Sequence, residues 1–442
     1  MANGYERKVI ITAVILLAGT FLTLFAGTGT SASLYQSPGT VIDFGDRNTV
    51  WTELDLNEYS DPYDVLEAAC SANYYDYLVD ESGTIIMIDG IEADSTHSWD
   101  LWVVVLGETE WTKLSVMYDA DLSEYAVSSW AYTENGAEPT VGVDAAGNSI
   151  YGYAQASTTV ALSPSITEII GALGGVNTLV GTDKYSNYPE EVVELQESGD
   201  IAIVGDYTTP VYENIVKTDP DIVYCDSSQY NHITMNSTLR NANIVSILLY
   251  DGTGFDTILD NIYIVGLTMG YNWAAESLIE DMLACMDEIA DESMFSESIM
   301  AALSPDAATW VAGTYTYVDD VINEISCTNV FSGYVGWVHI NPEMIALLNP
   351  SYIVIITSSF SATQEDYDQI LSILSSEWKS TDAYKNGHIY VICESAADMA
   401  QRAGPRNVQL MELMSVIVNS DSDIPNYFGD NYRDYLTITK DY

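Results

Sequence analysis

The longest stretch of hydrophobic periodicity in the chain lies between Phe255 and Met294. Apolar residues recur there at close to the 3.6-residue helical period and no proline interrupts them, which predicts one long helix. Two helices, broken near Gly266 or Gly270, are the alternative. The periodic positions are Ile258, Ile262, Val265, Met269, Ile279, Leu283, Met286 and Ile289.

Short apolar runs alternate with helical patterns on both sides of this stretch. The alternation extends from Thr158 to Tyr250 and resumes from Thr309 to Val418. Such alternation is typical of α/β folds. We therefore expect two α/β lobes, at 158–254 and 305–419, joined by a single long helix at 255–294.

The chain before Thr158 has a different pattern. Short strand patterns and one helix predict a small α+β domain at 35–135, and the polar segment 136–157 indicates a linker. Within the linker, Asp144-Ala-Ala-Gly-Asn148 lacks the alternating acids of a calcium loop, which favours a plain turn. The last segment, 420–442, is predicted to be an acidic tail.

An apolar run from Val9 to Ala26 follows Arg7 and Lys8. Residues 1–33 are therefore predicted to be a secretory signal or an uncleaved transmembrane anchor. No cysteine near its end could take a lipid. We expect the protein to be exported. We favour its retention at the outer face of the membrane by this segment, rather than its release after cleavage.

The two lobes share an internal repeat. An aromatic residue, Tyr207 or Trp337, precedes a glutamate by six positions, and the same spacing to an isoleucine and a proline follows in each lobe. The glutamates are Glu213 and Glu343, at the predicted starts of equivalent helices, where a negative charge suits the helix dipole. A duplicated lobe places these two acids in equivalent positions.

Composition narrows the function. The 442 residues are 48% hydrophobic, enough for several folded domains, but 65 acidic and 13 basic residues give a net charge of −52. Nucleic acids and anionic membrane surfaces would repel such a chain. The acid excess suits high salt or a cell exterior. Five dispersed cysteines without a CxxC pair indicate neither a zinc site nor a dense disulfide scaffold. The sequence allows one disulfide bond between them but does not choose its partners.

Sequence signals for catalysis are lacking. The chain has no phosphate-binding loop, no GxSxG and no HExxH, and its four histidines are scattered. We predict no catalytic residue, no metal site and no intrinsic cofactor. His339, two residues after Trp337, could reach a metal centre in a ligand, although such a histidine is more often simply hydrogen bonded.

The segments LSPSITEI, SNYPEE, TPVYENIVKTDPDIVY, GWVHINPEMIALLNPSYIVI, YKNGHIYVI and RAGPRN resemble the solute-binding proteins of ABC importers for cobalamin, ferric siderophores and haem. The resemblance covers roughly 158–419. It implies a monomer that binds its ligand between two lobes joined by one long helix, moves by a small hinge, and delivers the ligand to an ABC permease dimer.

The same resemblance implies roles for individual residues. Glu213 and Glu343 match the two acids that dock on the permease. Gln401 stands where the cobalamin-binding members have an acid, and Arg406 is expected to brace the last helix. Tyr315 and Tyr317 lie in the corresponding first loop of the second lobe. The expected ligand-binding residues are Ser165, Tyr188, Tyr207, Trp337, Asp398, Gln401 and Arg402.

The order of VIDFG, a helix, GTIIMIDGI and WDLWVV in the N-terminal domain resembles the β-grasp-type domain of the vertebrate cobalamin carriers, with Trp99 and Trp102 as its signature aromatic residues. Both resemblances make a corrinoid, which contains cobalt, the first choice of ligand. A ferric siderophore or haem is the near alternative. The competing class is an envelope or sensory protein that reuses the fold without transport.

Overall fold

The computed structural model describes residues 39–45, 49–59, 61–105, 111–114, 122, 125–134, 136, 137, 139, 142–150, 156–293, 296–419, 424–440 and 442. The predicted signal or anchor, Val9 to Ala26, lies outside these residues. Within the described ranges, the helices are all too short or too polar to cross a membrane.

The N-terminal part is an α+β unit with one helix. Its five-stranded sheet has the order β2-β1-β8-β6-β7, in which only β1 and β8 run parallel, and β3, β4 and β5 form a separate three-stranded sheet. The elements are β1 (Gly39–Asp43), β2 (Thr49–Glu53), α1 (Pro62–Asn73), β3 (Tyr77–Val79), β4 (Ile85–Ile88), β5 (Ile91–Glu92), β6 (His97–Val105), β7 (Trp111–Lys113) and β8 (Tyr125–Glu134).

Both faces of the five-stranded sheet are buried. One face packs Trp99 and Trp130 against α1, which Asp61 caps through the backbone N–H of Tyr63. The other face joins the largest apolar core of the molecule, which also contains the helix that follows Gly254. The hydroxyls of Thr49 and Tyr263 hydrogen bond at 2.6 Å across this contact. The unit is therefore fixed against the helices that connect the lobes.

The first lobe is a mostly parallel sheet with the order β14-β13-β12-β11-β15-β16, in which only β14 is antiparallel. A two-stranded ribbon, β9 (Gly142–Val143) and β10 (Ser149–Ile150), precedes it. Its elements are β11 (Thr159–Ala161), α2 (Pro164–Ala172), β12 (Leu179–Asp183), α3 (Glu190–Ser198), β13 (Ala202–Asp206), β14 (Thr209–Pro210), α4 (Tyr212–Lys217), β15 (Ile222–Asp226), α5 (Tyr230–Asn241) and β16 (Ser246–Leu249).

The predicted single bridging helix is wrong, because the structure has two helices there. They are α6 (Phe255–Met269) and α7 (Asn272–Glu292). Gly270 ends α6 in the left-handed conformation, at φ 73°, and the N–H of Tyr271 returns to the carbonyl of Gly266 at 2.7 Å. A Cβ atom at Gly266 would lie 2.3 Å from the Cβ of Ala275. The chain therefore turns sharply, and α7 packs on the last turns of α6.

The second lobe is a seven-stranded sheet with the order β20-β18-β17-β21-β22-β23, and β19 also pairs with β17. Its elements are β17 (Ser298–Ala302), β18 (Thr309–Ala312), α8 (Tyr317–Glu324), β19 (Thr328–Asn329), β20 (Trp337–Ile340), α9 (Pro342–Leu348), β21 (Tyr352–Ile356), α10 (Gln364–Ile373), α11 (Ser376–Lys379), α12 (Asp382–Asn386), β22 (Ile389–Ile392), α13 (Glu394–Gln401), α14 (Asn407–Asn419) and β23 (Tyr427–Phe428).

This sheet extends beyond the predicted boundaries of the lobe, 305 and 419, at both ends. Strand β17, before residue 305, lies inside the sheet between β18 and β21. Strand β23, in the predicted acidic tail, pairs with β22 and buries Phe428. Glu412 of α14 accepts backbone N–H groups of Ile438 and Thr439, both at 2.8 Å. The described part of the tail is thus folded onto α14.

The cysteines are all buried and free. The disulfide that the sequence left open does not form in the structure. Burial raises the pKa of the thiols of Cys225 and Cys393 to about 12, which keeps them protonated and unreactive at neutral pH.

Candidate functional site

The two lobes meet where α2 of the first lobe faces the segment between α13 and α14 of the second. Glu168 of α2 is 3% exposed and Arg406 is 2% exposed, and the guanidinium Nε of Arg406 donates to Glu168 at 2.9 Å. Burial disfavours the charge on Arg406, but the carboxylate of Glu168 outweighs that effect and raises its pKa. A buried ion pair therefore links the lobes.

Arg402, predicted to bind ligand, belongs to the same junction. Its Nη1 lies 2.8 Å from Oε1 of Glu168, and its Nη2 donates to the carbonyl of Tyr185 at 3.2 Å and lies 3.4 Å from Asp398. Asp398 also accepts a hydrogen bond from Asn187 of the first lobe at 2.8 Å. The guanidinium of Arg402 is thus bound by protein groups.

Other predicted residues lie close by. The carbonyl oxygen of Ser165 is 3.7 Å from the position of a Cβ atom on Gly404, and the Ser165 hydroxyl bonds that of Ser163 at 2.9 Å. Gln401 donates to the carbonyl of Ile356 at 3.2 Å, at the end of β21. The structure therefore brings Ser165, Asp398, Gln401 and Arg402 into one region.

Tyr188 lies against cationic side chains. The guanidinium of Arg406 is 4.1 Å from the centre of the Tyr188 ring, and that of Arg433 is 5.6 Å away. The Tyr188 hydroxyl also donates to the backbone carbonyl of Tyr442 at 2.7 Å. This half-buried ring, predicted to bind ligand, packs on the folded C-terminal segment.

Tyr207 and Trp337 lie on separate lobes. The Tyr207 hydroxyl bonds Ser228 at 2.8 Å and accepts from Gln229 at 3.1 Å, and the edge of its ring meets the buried His232 at 5.7 Å between centroids. Burial, followed by the charge of Asp226, raises the pKa of Tyr207 to about 12. The Tyr207 ring is therefore held in one orientation, as a stacking surface requires.

Trp337 is the first residue of β20, opposite Ala312, and is half-buried beside the main apolar core. Two further aromatic residues follow β18 in the neighbouring loop. Tyr315 is 69% exposed, in the left-handed conformation, whereas Tyr317 is buried and its hydroxyl donates to the carbonyl of Ala400 at 3.0 Å. The second lobe thus presents aromatic surface at the start of both β20 and α8.

The two copies of the internal repeat form the same helix and strand in each lobe. Helices α4 and α9 carry Glu213 and Glu343 in their first turns, both exposed, and each helix buries one isoleucine, Ile215 or Ile345. A fully buried strand, β15 or β21, follows each helix. The two acids therefore occupy equivalent positions, one on each lobe.

The geometry offers no metal centre within the described residues. Histidine, cysteine and acidic side chains do not gather there in groups of three or more that could hold an ion. His339 is exposed and its ring meets Trp310 at 5.5 Å between centroids.

The sequence did not single out Glu168 at the junction, and it did not predict that Tyr317 is buried with its hydroxyl on the carbonyl of Ala400. The sequence signal for Glu168 is its place within the LSPSITEI segment. The Gly252 backbone of the first lobe also approaches Ala403 of the second so closely that a Cβ atom at Gly252 would lie 2.0 Å from that of Ala403.

Comparisons with known proteins agree with this architecture. A family model described as periplasmic binding protein matches residues 159–396. The ABC transporter substrate-binding lipoprotein YvrC of Bacillus subtilis strain 168, itself uncharacterized, is 25% identical over 269 residues, 60% of this chain and 80% of that protein.

Solved structures share the fold. A possible iron-binding periplasmic solute-binding protein of Staphylococcus epidermidis has a TM-score of 0.51 at 19% identity, covering 60% of this chain and 100% of that one. A periplasmic heme-binding protein of Pseudomonas aeruginosa has a TM-score of 0.51 at 21% identity, covering 59% and 92%. Since the family model spans more than half of the sequence, the chain belongs to the periplasmic binding protein family, whose members bind a solute without converting it and carry no cofactor of their own.

Proposed function

We propose that this protein is the substrate-binding component of an ABC importer, exported and held at the outer face of the cytoplasmic membrane. It captures a large metal chelate between its lobes and delivers it to a permease dimer. The observation that carries the proposal is the equivalent, exposed placement of Glu213 and Glu343 in the first turns of α4 and α9. The name of the Bacillus subtilis relative, an ABC transporter substrate-binding lipoprotein, supports the same class.

The chemistry of docking follows from this placement. Two separated carboxylates, one on each lobe, suit two cationic pockets of a symmetric membrane dimer and fix the orientation of the bound protein. Lysine at both Glu213 and Glu343 should abolish uptake of the ligand by cells and leave its binding to the purified protein unchanged.

A matched control is available for this experiment. Glu190 and Glu365 are exposed acids in the first turns of α3 and α10, so that their replacement by lysine changes the charge equally at other helix starts. Uptake should persist in that variant. Unchanged uptake in the Glu213→Lys, Glu343→Lys variant would remove the transport function and leave an envelope or sensory protein with the same fold.

A corrinoid is the ligand that we propose first. A large planar ligand gains most from aromatic walls that bury its area, and Tyr207 and Trp337 supply one such residue on each lobe. The resemblance of the N-terminal domain to the cobalamin carriers points the same way. A ferric siderophore or haem is the alternative, and two structural neighbours are named for iron and heme.

Titration calorimetry and absorbance spectra with cyanocobalamin, cobinamide, haem and a ferric trihydroxamate test the ligand class. We expect tight one-to-one binding of a corrinoid, weakened by Trp337→Ala and unaffected by Trp273→Ala, since Trp273 is 80% exposed at the start of α7. Preference for haem or the trihydroxamate would replace the corrinoid by that ligand. Binding of none of the four would contradict the capture of a metal chelate.

A further inference from the structure

A segment near the C-terminus, residues 432–440 and 442, contacts both lobes. It begins shortly after β23, which pairs with β22 of the second lobe, and it reaches Tyr188, which follows β12 of the first lobe. Between these points it crosses α14 and α7. The segment therefore lies across the second lobe, the first lobe and one of the helices that connect them.

The segment is firmly attached to α14 of the second lobe. Tyr432 is 1% exposed, and its hydroxyl donates to Oε1 of Gln409 at 2.7 Å. The carboxylate of Glu412, which is 2% exposed, accepts the backbone N–H groups of Ile438 and Thr439 at 2.8 Å each. Hydrogen bonds to a buried charge are costly to break, because the charge loses its partners without gaining water. This attachment therefore keeps the segment on the second lobe.

The contact with the first lobe is made at Tyr188. Its hydroxyl donates to the carbonyl of Tyr442 at 2.7 Å and accepts from Nη2 of Arg433 at 3.1 Å, and the Arg433 guanidinium lies 5.6 Å from the centre of the Tyr188 ring. Arg433 is exposed, and Tyr188 and Tyr442 are half-buried. Because water can replace hydrogen bonds between partly exposed groups, this contact breaks more easily than the attachment to α14.

The same segment covers a free thiol on α7. The hydroxyl of Tyr442 lies 3.6 Å from Sγ of Cys285, and the carbonyl of Ile438 lies 3.9 Å from the same sulfur. Cys285 is 7% exposed. Nζ of Lys440 also lies 2.8 Å from the carboxylate of Asp281, one turn earlier on α7. Tyr442 thus contacts the first lobe through its carbonyl and α7 through its hydroxyl, so that displacement of Tyr442 from Tyr188 uncovers Cys285.

We infer that residues 432–440 and 442 form a latch, anchored on α14, which holds the lobes in their present arrangement and releases Tyr188 when they move apart. A hinge motion carries Tyr188 away from a segment that stays with the second lobe, and the partly exposed contacts then break first. Their free energy adds to the cost of separating the lobes. The latch acts on the hinge and needs no ligand, so its test is independent of the proposed function.

Alkylation of Cys285 in the ligand-free protein measures the opening of the latch. Tyr188→Phe removes both hydrogen bonds of the hydroxyl but keeps the ring and its contact with Arg406. Iodoacetamide should then modify Cys285 about fivefold faster or more, the factor by which one hydrogen bond shifts an equilibrium. Peptide mass spectrometry follows each of the five buried thiols separately, and the other four should keep their wild-type rates.

Tyr367→Phe is the matched control. The Tyr367 hydroxyl also donates to a backbone carbonyl, that of Ile389 at 2.9 Å, but both residues belong to the second lobe. Cys285 should react in this variant as in the wild type. Arg433→Gln changes the latch from its own side, by removing the guanidinium that contacts Tyr188, and it should also speed the alkylation of Cys285.

Electron–electron double resonance measures whether the lobes move apart. Spin labels carried by a genetically encoded keto amino acid at Ser237 of α5 and Gln369 of α10, both exposed, leave the cysteines unmodified. The distribution of distances between the two labels should be broader in Tyr188→Phe than in the wild type. It should be unchanged in Tyr367→Phe.

Faster alkylation of Cys285 together with a broader distance distribution supports the latch. If Cys285 reacts faster while the distances stay the same, the segment covers α7 without restraining the lobes, and the inference is overturned. Unchanged alkylation in both Tyr188→Phe and Arg433→Gln also overturns it. So does faster reaction of all five thiols in Tyr188→Phe, because Tyr188 would then contribute to the stability of the whole fold and not to a latch.

Discussion

At the scale of single residues, Glu168 determines how the lobes meet. It lies on α2 of the first lobe, and both of its guanidinium partners, Arg402 and Arg406, come from the second. With 3% of its surface exposed, the carboxylate has lost its hydration, and the two arginines compensate that loss. Removing the acid would leave two cations at the junction, one of them fully buried.

We therefore predict that Glu168→Gln lowers the free energy of unfolding by about 3 to 5 kcal/mol, the usual cost of breaking a buried ion pair. Urea denaturation followed by fluorescence measures the change. The comparison is Asp281→Asn, which removes an exposed ion pair with Lys440 at 2.8 Å and should cost less than about 1 kcal/mol. Equal effects of the two substitutions would mean that Glu168 does not join the lobes.

A second residue-scale prediction concerns Asp43 of β1. Burial raises its pKa from 3.8 to about 6, although the N–H of Gly45 at 2.9 Å acts in the opposite direction. The folded state therefore holds the proton more tightly than the unfolded state. The stability due to this group is present below about pH 4 and is lost as the pH rises to about 6, by up to about 3 kcal/mol.

The variant Asp43→Asn should lack this loss. Its free energy of unfolding, relative to the wild type, should rise between pH 4 and pH 6 and then stay constant. Denaturant titrations at several pH values give this difference, in which the titration of the other acids cancels. A difference that does not vary with pH would show that the pKa of Asp43 is the same in the folded and unfolded states.

Single residues also show which features of the site could be predicted from the sequence. The sequence places Glu213 and Glu343 on equivalent helix starts, because in each copy of the repeat a proline, Pro220 or Pro350, marks the end of the helix that the glutamate begins. The surroundings of Arg402 were not predictable in this way. Its partner Glu168 is 234 residues away, and only the packing of the two lobes brings them together.

At the scale of elements, the sequence predicted the helices that have local start and stop signals, but it missed the strand and did not favour the helix break, both of which depend on tertiary packing. Helices α4 and α9 begin within one residue of Glu213 and Glu343, as the repeat predicts, and they end shortly before Pro220 and Pro350. Strand β17 was missed, since its Ser-Ile-Met-Ala-Ala sequence shows no alternation. The break at Gly270 was the alternative and not the favoured prediction, because the helical period continues across it and the contact of Gly266 with Ala275 forms only in three dimensions.

The close approach of the loop after β16 to the loop after α13 gives the element-scale prediction. A methyl group at Gly252 would lie 2.0 Å from the Cβ of Ala403, so that Gly252→Ala should force the two loops apart. We expect a loss of about 1 to 3 kcal/mol in stability and weaker ligand binding, measured by denaturation and calorimetry.

A compensating substitution tests the cause of this effect. Ala403→Gly removes the methyl group that Gly252→Ala meets, and the double variant should recover most of the lost stability and affinity. If the two substitutions are simply additive, the lobes do not meet through this contact.

At the scale of the whole molecule, three sheets share a connected interior around α6. The N-terminal sheet buries one face against this helix, through the bond of Thr49 to Tyr263, while both lobes pack their inner helices on the same core. The family match covers 159–396 and does not include the N-terminal unit. The N-terminal unit thus packs on α6, which connects the two lobes. The α/β fold of the lobes was predictable from the alternation of strand and helix patterns.

The net charge of −52 gives the whole-molecule prediction. Like charges repel one another more in the compact state than in the unfolded chain, and salt screens this repulsion as the Debye length falls from about 10 Å at 0.1 M to about 3 Å at 1 M. We expect the free energy of unfolding in urea to rise by at least about 1 kcal/mol over this range of sodium chloride. Sucrose, which favours burial without screening, is the control and should stabilise the protein less. Stability that falls with salt would mean that the ion pairs at the lobe junction, and not the excess of acids, dominate the electrostatic free energy.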